Sequence, residues 1–145
     1  MSRLLPFQQR SHSVAETEAL GERLGQRATP GLVIGLSGDL GAGKTALVRG
    51  LARGLGCRSR VHSPTFALLN EYTGGRARLF HLDLYRLNSA EEVRGAGLEE
   101  YLDQPDGVSV VEWMERWSEA AAGWWIHLTV VDEQTREISH DVPGL

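Results

Sequence analysis

The run Gly38-Asp39-Leu40-Gly41-Ala42-Gly43-Lys44-Thr45 constrains the fold of this chain more than any other stretch. It fits the P-loop pattern G-x-x-x-x-G-K-[S/T], whose glycines let the backbone curl and aim successive N–H groups at phosphate oxygens. Lys44 then sets an ammonium on the outer phosphates, and the Thr45 hydroxyl is placed to ligate Mg²⁺. The pattern needs a strand before it and a helix after it, and both are legible. Leu32 to Ser37 is a short apolar run entering the loop, and Leu47, Val48, Leu51, Ala52 and Leu55 recur at helical spacing beyond it. Gly56 suits the left-handed position that ends such a helix. The helix start directs the positive end of its dipole at the same anion. Asp39, Leu40, Gly41, Ala42, Gly43, Lys44, Thr45 and Ala46 are the expected phosphate-binding run. Lys44 is the sole lysine among 15 Lys and Arg residues. A chain that otherwise uses arginine thus has lysine where a point charge on phosphate is wanted.

The bulk numbers narrow the class. With 145 residues, 41% of them hydrophobic and 23% charged, the expectation is one soluble domain over 1–145 with a core that needs no disulfide or metal. No apolar run approaches membrane-spanning length, and the N-terminus lacks the apolar stretch of a signal peptide. One cysteine, Cys57, fits a reducing, cytoplasmic location and reads as a packing residue. A net charge of −4 argues against a free-standing nucleic-acid binder. The histidines are scattered without the pairing a zinc site needs, and no Gly-x-Ser-x-Gly elbow supports covalent catalysis.

Along the chain, residues 3–10 suit an edge strand. Ser13 and Glu16 form a capping box opening a helix with Ala15, Ala19, Leu20 and Leu24 on one face. Gly25 to Gly31 reads as a loop. Phe66 to Tyr72 and Ala77 to Tyr85 read as strands joined by a Gly74-Gly75 turn, with Asp83 on the polar side of its strand. A second capping box at Asn88 to Glu92 starts a short helix that Gly95 and Gly97 interrupt. Val108 to Val111 is a buried-type strand, followed by a helix from Met114 to Ala122. Trp125 to Val131 and Arg136 to His140 form a terminal antiparallel hairpin. The expected fold is α/β: a P-loop NTPase three-layer sandwich with a central, partly parallel sheet and that C-terminal hairpin.

Three residues stand where strand ends would supply a P-loop with help. Asp83, near the end of an apolar strand, suits a Walker-B aspartate that holds Mg²⁺. Thr65, in a Pro-containing loop, suits a switch threonine that senses Mg²⁺ and the γ-phosphate. Glu112, closing the strand Val108–Val111, suits either a Mg²⁺ ligand or the group that polarises the attacking water. Trp113 beside it suits the wall of a nucleotide cleft, while the four tryptophans serve equally as packing or a docking surface. A guanine-specific GTPase is disfavoured: N-K-x-D is missing, and no D-x-x-G begins at Asp83.

Four ordered strings now stand together: Gly38 to Thr45, Ser63-Pro64-Thr65-Phe66, His81-Leu82-Asp83-Leu84-Tyr85-Arg86 and Val111-Glu112-Trp113. In this the chain resembles the TsaE (YjeE) family, from about residue 10 to 140. The resemblance implies an ATPase that binds ATP and Mg²⁺ and is weak alone. It implies two partners, TsaD and TsaB, of which TsaD transfers a threonylcarbamoyl group to adenosine in tRNAs reading codons that begin with adenine. ATP turnover would reset that complex, tRNA being met only through it, and the chain would be monomeric on its own. By motif position Lys44 and Thr45 take the phosphate and Mg²⁺ roles, Asp83 the Walker-B role and Thr65 the switch role. Glu112 is implied as Mg²⁺ ligand or water-orienting residue, with Trp113 beside the nucleotide and Arg136 reaching it. His62 and Met114 depart from the family's pattern, and Met114 bears on how Trp113 sits. Two rivals remain open: a small-molecule P-loop kinase, and a nucleotide-gated binding module without useful hydrolysis.

Overall fold

Val33, Ile34, Gly35 and Leu36 are buried in succession, so their strand must lie inside a sheet covered on both faces. The computed structural model describes residues 5–58 and 68–145. Its elements in chain order are β1 (Phe7–Ser11), α1 (Val14–Arg27), β2 (Val33–Gly38), α2 (Lys44–Gly54), β3 (Leu69–Tyr72), β4 (Leu79–Asp83), α3 (Ala90–Gly95), α4 (Glu99–Leu102), β5 (Val108–Glu112), β6 (Trp124–Val130) and β7 (Arg136–His140). They form a seven-stranded sheet in the order β1-β7-β6-β2-β5-β4-β3. β2 is parallel to β5 and β6, and β4 is parallel to β5. The remaining pairs are antiparallel. The carboxyl ends of β2, β4, β5 and β6 therefore meet at one edge, where open α/β sheets build their sites.

Two apolar layers cover the sheet. On one face Leu20 and Leu24 of α1 and Leu47 and Leu51 of α2 pack on Ile34, Leu36, Val110 and Ile126. On the other, Val93, Leu102 and Met114 pack on Phe80, Leu82, Val111 and Trp125. The expected three-layer α/β architecture is present.

α1 and α2 meet backbone against backbone. A Cβ added at Gly50 would lie 2.0 Å from Glu18 O, and one at Gly25 would lie 2.3 Å from Leu51 O. Only glycine fits at such an approach. This corrects the sequence reading of α1 twice. Its buried face is Thr17, Leu20, Gly21, Leu24 and Gly25, whereas Ala15 and Ala19 are exposed. Gly25 lies inside the helix, which continues to Arg27. Glycine lowers helix propensity, but the close contact outweighs it here.

Local signals held at the helix starts. Ser13 Oγ accepts the Glu16 N–H at 3.0 Å, and Ser89 Oγ accepts the Glu92 N–H at 3.2 Å. The helix expected from Met114 to Ala122 is instead two 3-10 turns, Met114–Arg116 and Glu119–Ala121. Ser118 between them is extended, and only Met114 and Ala122 of the segment are buried, so no continuous apolar stripe holds a longer helix. Of the strand expected from Phe66, residues 66 and 67 lie outside the described residues. Among the described residues no helix is long and apolar enough to cross a membrane.

Candidate functional site

The site begins where β2 ends. Gly38 leaves the strand, and the loop 39–43 turns back to start α2 at Lys44. Gly41 and Gly43 adopt φ of +81° and +101°, the left-handed conformations that side chains resist. Gly43 is the helix N-cap, and among the described residues no side chain caps it, which leaves the first N–H groups of α2 open to a ligand. That is the donor set of an anion cradle at a helix N-terminus. Leu40, at the loop's tip, is 99% exposed.

Lys44 folds back into this cradle. Its Nζ donates to Gly38 O at 2.7 Å and lies 3.1 Å from Glu112 Oε1. The other oxygen, Glu112 Oε2, accepts from His81 Nε2 at 2.7 Å. Glu112 is buried at the end of β5, and His81 is wholly buried in β4. Alternation along β4 does put His81 and Asp83 on one side, as the sequence pattern implies. That side faces the layer holding α2, not solvent, which is why a histidine there is buried.

Asp83 stands opposite Glu112 in the β4–β5 register, and Glu112 stands opposite Leu36 of β2. The Asp83 Oδ1 accepts the Tyr85 N–H at 3.0 Å. Burial, reinforced by the charge of Glu112, pushes Asp83 above its ordinary 3.8, against the Tyr85 N–H and the nearby His81 and Lys44. Burial also opposes ionisation of Glu112, but hydrogen bonds and charge from His81 and Lys44 outweigh it and hold the carboxyl below its ordinary 4.5. Two neighbouring carboxyls with affinities pushed apart are the arrangement from which acid–base roles are built. Among the described residues no group of three His, Cys, Asp or Glu could hold a metal by itself. The set that remains (Thr45, Asp83, Glu112) fits Mg²⁺, which takes one or two carboxylates and completes its shell with phosphate oxygens and water.

Two further residues flank the mouth. Trp113 follows Glu112 in a left-handed conformation, φ 61°, which for a bulky side chain is a strained backbone. Its ring lies 5.2 Å from that of Tyr85, with the Arg116 guanidinium 5.0 Å from its centre. Arg136, opening β7, donates to Gly41 O at 3.1 Å and to Asp132 O at 2.7 Å, tying the β6–β7 turn to the glycine loop. Thr65 lies outside the described residues.

Comparison with known proteins gives this arrangement a lineage. The family model described as "Threonylcarbamoyl adenosine biosynthesis protein TsaE" matches residues 11–138. The chain belongs to the TsaE family. A TsaE protein of Synechocystis sp. is 50% identical over 69% of this chain and 65% of its own length, so the chain spans just under two thirds of that relative. A TsaE protein of Treponema pallidum is 40% identical over 89% of this chain and 96% of its own length. The crystal structure of Bacillus subtilis YdiB superposes with a TM-score of 0.73 at 32% identity, covering 96% of this chain and 87% of that one. Of the four strings that carry the TsaE resemblance, three meet at this strand edge: the glycine loop, His81–Arg86 and Val111–Trp113. The fourth, Ser63–Phe66, falls among the residues not described.

Sequence reasoning did not assign a part to His81. Its signal was the two-residue spacing to Asp83, but nothing local announces that Glu112 of another strand is the partner. The Arg136 bond to the glycine loop was equally hidden, because the two residues are 95 positions apart.

Proposed function

We propose that this chain is a Mg²⁺-dependent ATPase that serves threonylcarbamoyladenosine modification of tRNA by acting on a TsaB–TsaD transferase complex. The observation that carries the reading is Lys44 at an uncapped helix N-terminus, in contact with Glu112 beside Asp83. A lysine on a carboxylate in a phosphate cradle is a cation held ready for a stronger anion. Membership of the TsaE family supplies the tRNA context.

In this reading Lys44 and the first N–H groups of α2 hold the nucleotide phosphates. Thr45 and Asp83 hold Mg²⁺, which when bound neutralises charge gathering on the transferring phosphoryl group. Glu112, kept ionised by its partners, orients the attacking water and is the local base for its proton. Trp113 and Tyr85 wall the mouth of the site, and Arg136 steadies the glycine loop on the side away from β5. Thr65 takes the γ-phosphate switch role that its position in the string implies. The charge of −4 suits a protein that leaves tRNA to its partners.

The test is phosphate release from ATP by the purified chain, alone and with TsaB, TsaD and tRNA. Slow release alone, raised at least about tenfold by the partners, is expected. Transfer of phosphate to a small acceptor, with no effect of TsaB and TsaD, would replace this reading with a kinase. Tight ATP binding without turnover under any condition would replace it with a binding module.

A further inference from the structure

The wholly buried histidine of β4 has no assigned part in the reaction above. His81 sits between the two apolar layers, where a leucine would pack without any polar cost. Its Nε2 lies 2.7 Å from Glu112 Oε2, while its Nδ1 has no hydrogen-bond partner among the described residues. A carboxylate only accepts, so the hydrogen in this contact belongs to Nε2. The pairing is diagonal across β4 and β5: Val110 is the register partner of His81, and Asp83 that of Glu112. Diagonal neighbours on one sheet face are within reach of long side chains. A glutamate has three freely turning bonds, and a lone strand-end glutamate would sample many placements. Here one oxygen is fixed from below by a group that cannot itself move far, because it is enclosed in the core.

From this geometry we infer that His81 is the positioning residue of Glu112. It holds Oε2, so that Oε1 is the oxygen facing Lys44 and the cradle. When Lys44 turns to a phosphate, Oε1 is the acceptor left open on the reacting side, and the carboxylate keeps its place because Oε2 is still held. The inference deepens the ATPase reading and rests on it for its kinetic consequence, though the hydrogen bond itself does not.

Two substitutions and one spectrum test it. His81→Met keeps an apolar side chain of similar length and removes the donor. His81→Gln restores an N–H close to the position of Nε2. In partner-stimulated turnover His81→Met should lower kcat about 10- to 100-fold. Its KM, and its affinity for a non-hydrolysable ATP analogue, should stay within about threefold of wild type. His81→Gln should recover most of the rate. A residue that merely filled the core would instead lose stability and affinity together and would be served better by Met than by Gln. Independently of turnover, proton–nitrogen NMR of the nucleotide-free chain should show one downfield, slowly exchanging imidazole N–H. That signal should move in Glu112→Gln and in Lys44→Ala. Unchanged kcat in His81→Met, a parallel loss of affinity, or a wild-type spectrum without that signal would each overturn the assignment. If wild type itself releases no phosphate, the ATPase reading falls, and the NMR signal alone decides the role of His81.

Discussion

The α1–α2 contact and the Lys44–Glu112–His81 chain lie on the same face of one sheet, a few residues apart along α2, and are held in opposite ways. Between the helices, Gly21, Gly25, Gly50 and Gly54 bring backbone against backbone with no room for a methyl group. At the strand ends, three polar side chains hold one another through atoms that another ligand could engage equally well. The first contact has one solution, because a backbone cannot exchange partners. The second is a set of bonds in which Lys44 has two alternative anions, the protein's carboxylate or an arriving phosphate. α2 is anchored through Gly50 and Gly54, while Lys44 at its start is held only by bonds it can exchange. Rigidity behind a site is what lets small side-chain exchanges within it have a defined outcome.

Substitutions at the two contacts should differ in what they cost. Gly50→Ala places a methyl on Glu18 O and should cost about 3 kcal/mol, seen as a fall in Tm of about 6–12 °C. Wild-type Tm in that variant would refute the backbone contact. Lys44→Ala should weaken ATP binding at least about 100-fold by calorimetry, equivalent to about 2.7 kcal/mol, while lowering Tm less than Gly50→Ala does. Equal losses of Tm in the two would mean that the strand-end chain is as structural as the helix contact.

Glu112→Gln comes third, with a stability cost of about 2 kcal/mol at neutral pH. The carboxyl is held below its ordinary 4.5, so its contribution is complete above the unfolded value and lost as pH falls through the folded one. The gap between wild type and Glu112→Gln in denaturant melts should therefore close on acidification below about pH 4.5. A gap that is constant with pH would show that Glu112 acts by shape alone. Smallest is Ser13→Ala, which removes the α1 cap without touching the glycine face and should cost about 1 kcal/mol. Combined with Gly50→Ala, its effect should add, since the two sites share no partner.

What was legible beforehand follows the range of the forces involved. The strand–loop–helix around Gly38 to Thr45, the caps at Ser13 and Ser89 and the terminal hairpin rest on neighbours in sequence, and all are present. The course of α1 through Gly25 was misread because its reason is Leu51 O, on another helix. The segment after Trp113 was misread because Met114 and Trp117 look periodic until Ser118 turns extended. In the site, Lys44, Asp83 and Glu112 were named from motif and strand position, and the structure brings them together. The histidine between them was not, because β4–β5 register is settled by the whole sheet.

The strand order carries a consequence in time. β2 lies between β5 and β6, so the strand that feeds the glycine loop keeps one hydrogen-bonding edge bare until residues 124–130 exist. At about 5–20 residues per second, a ribosome leaves that edge uncovered for roughly 5–20 s after β2 is made. β1 waits longer still, because its neighbour in the sheet is β7. Between the making of β2 and that of β6 the nascent chain thus carries an unpaired apolar strand edge, a template for wrong pairing. The segment that ends the exposure, β6, is made only after β3, β4 and β5.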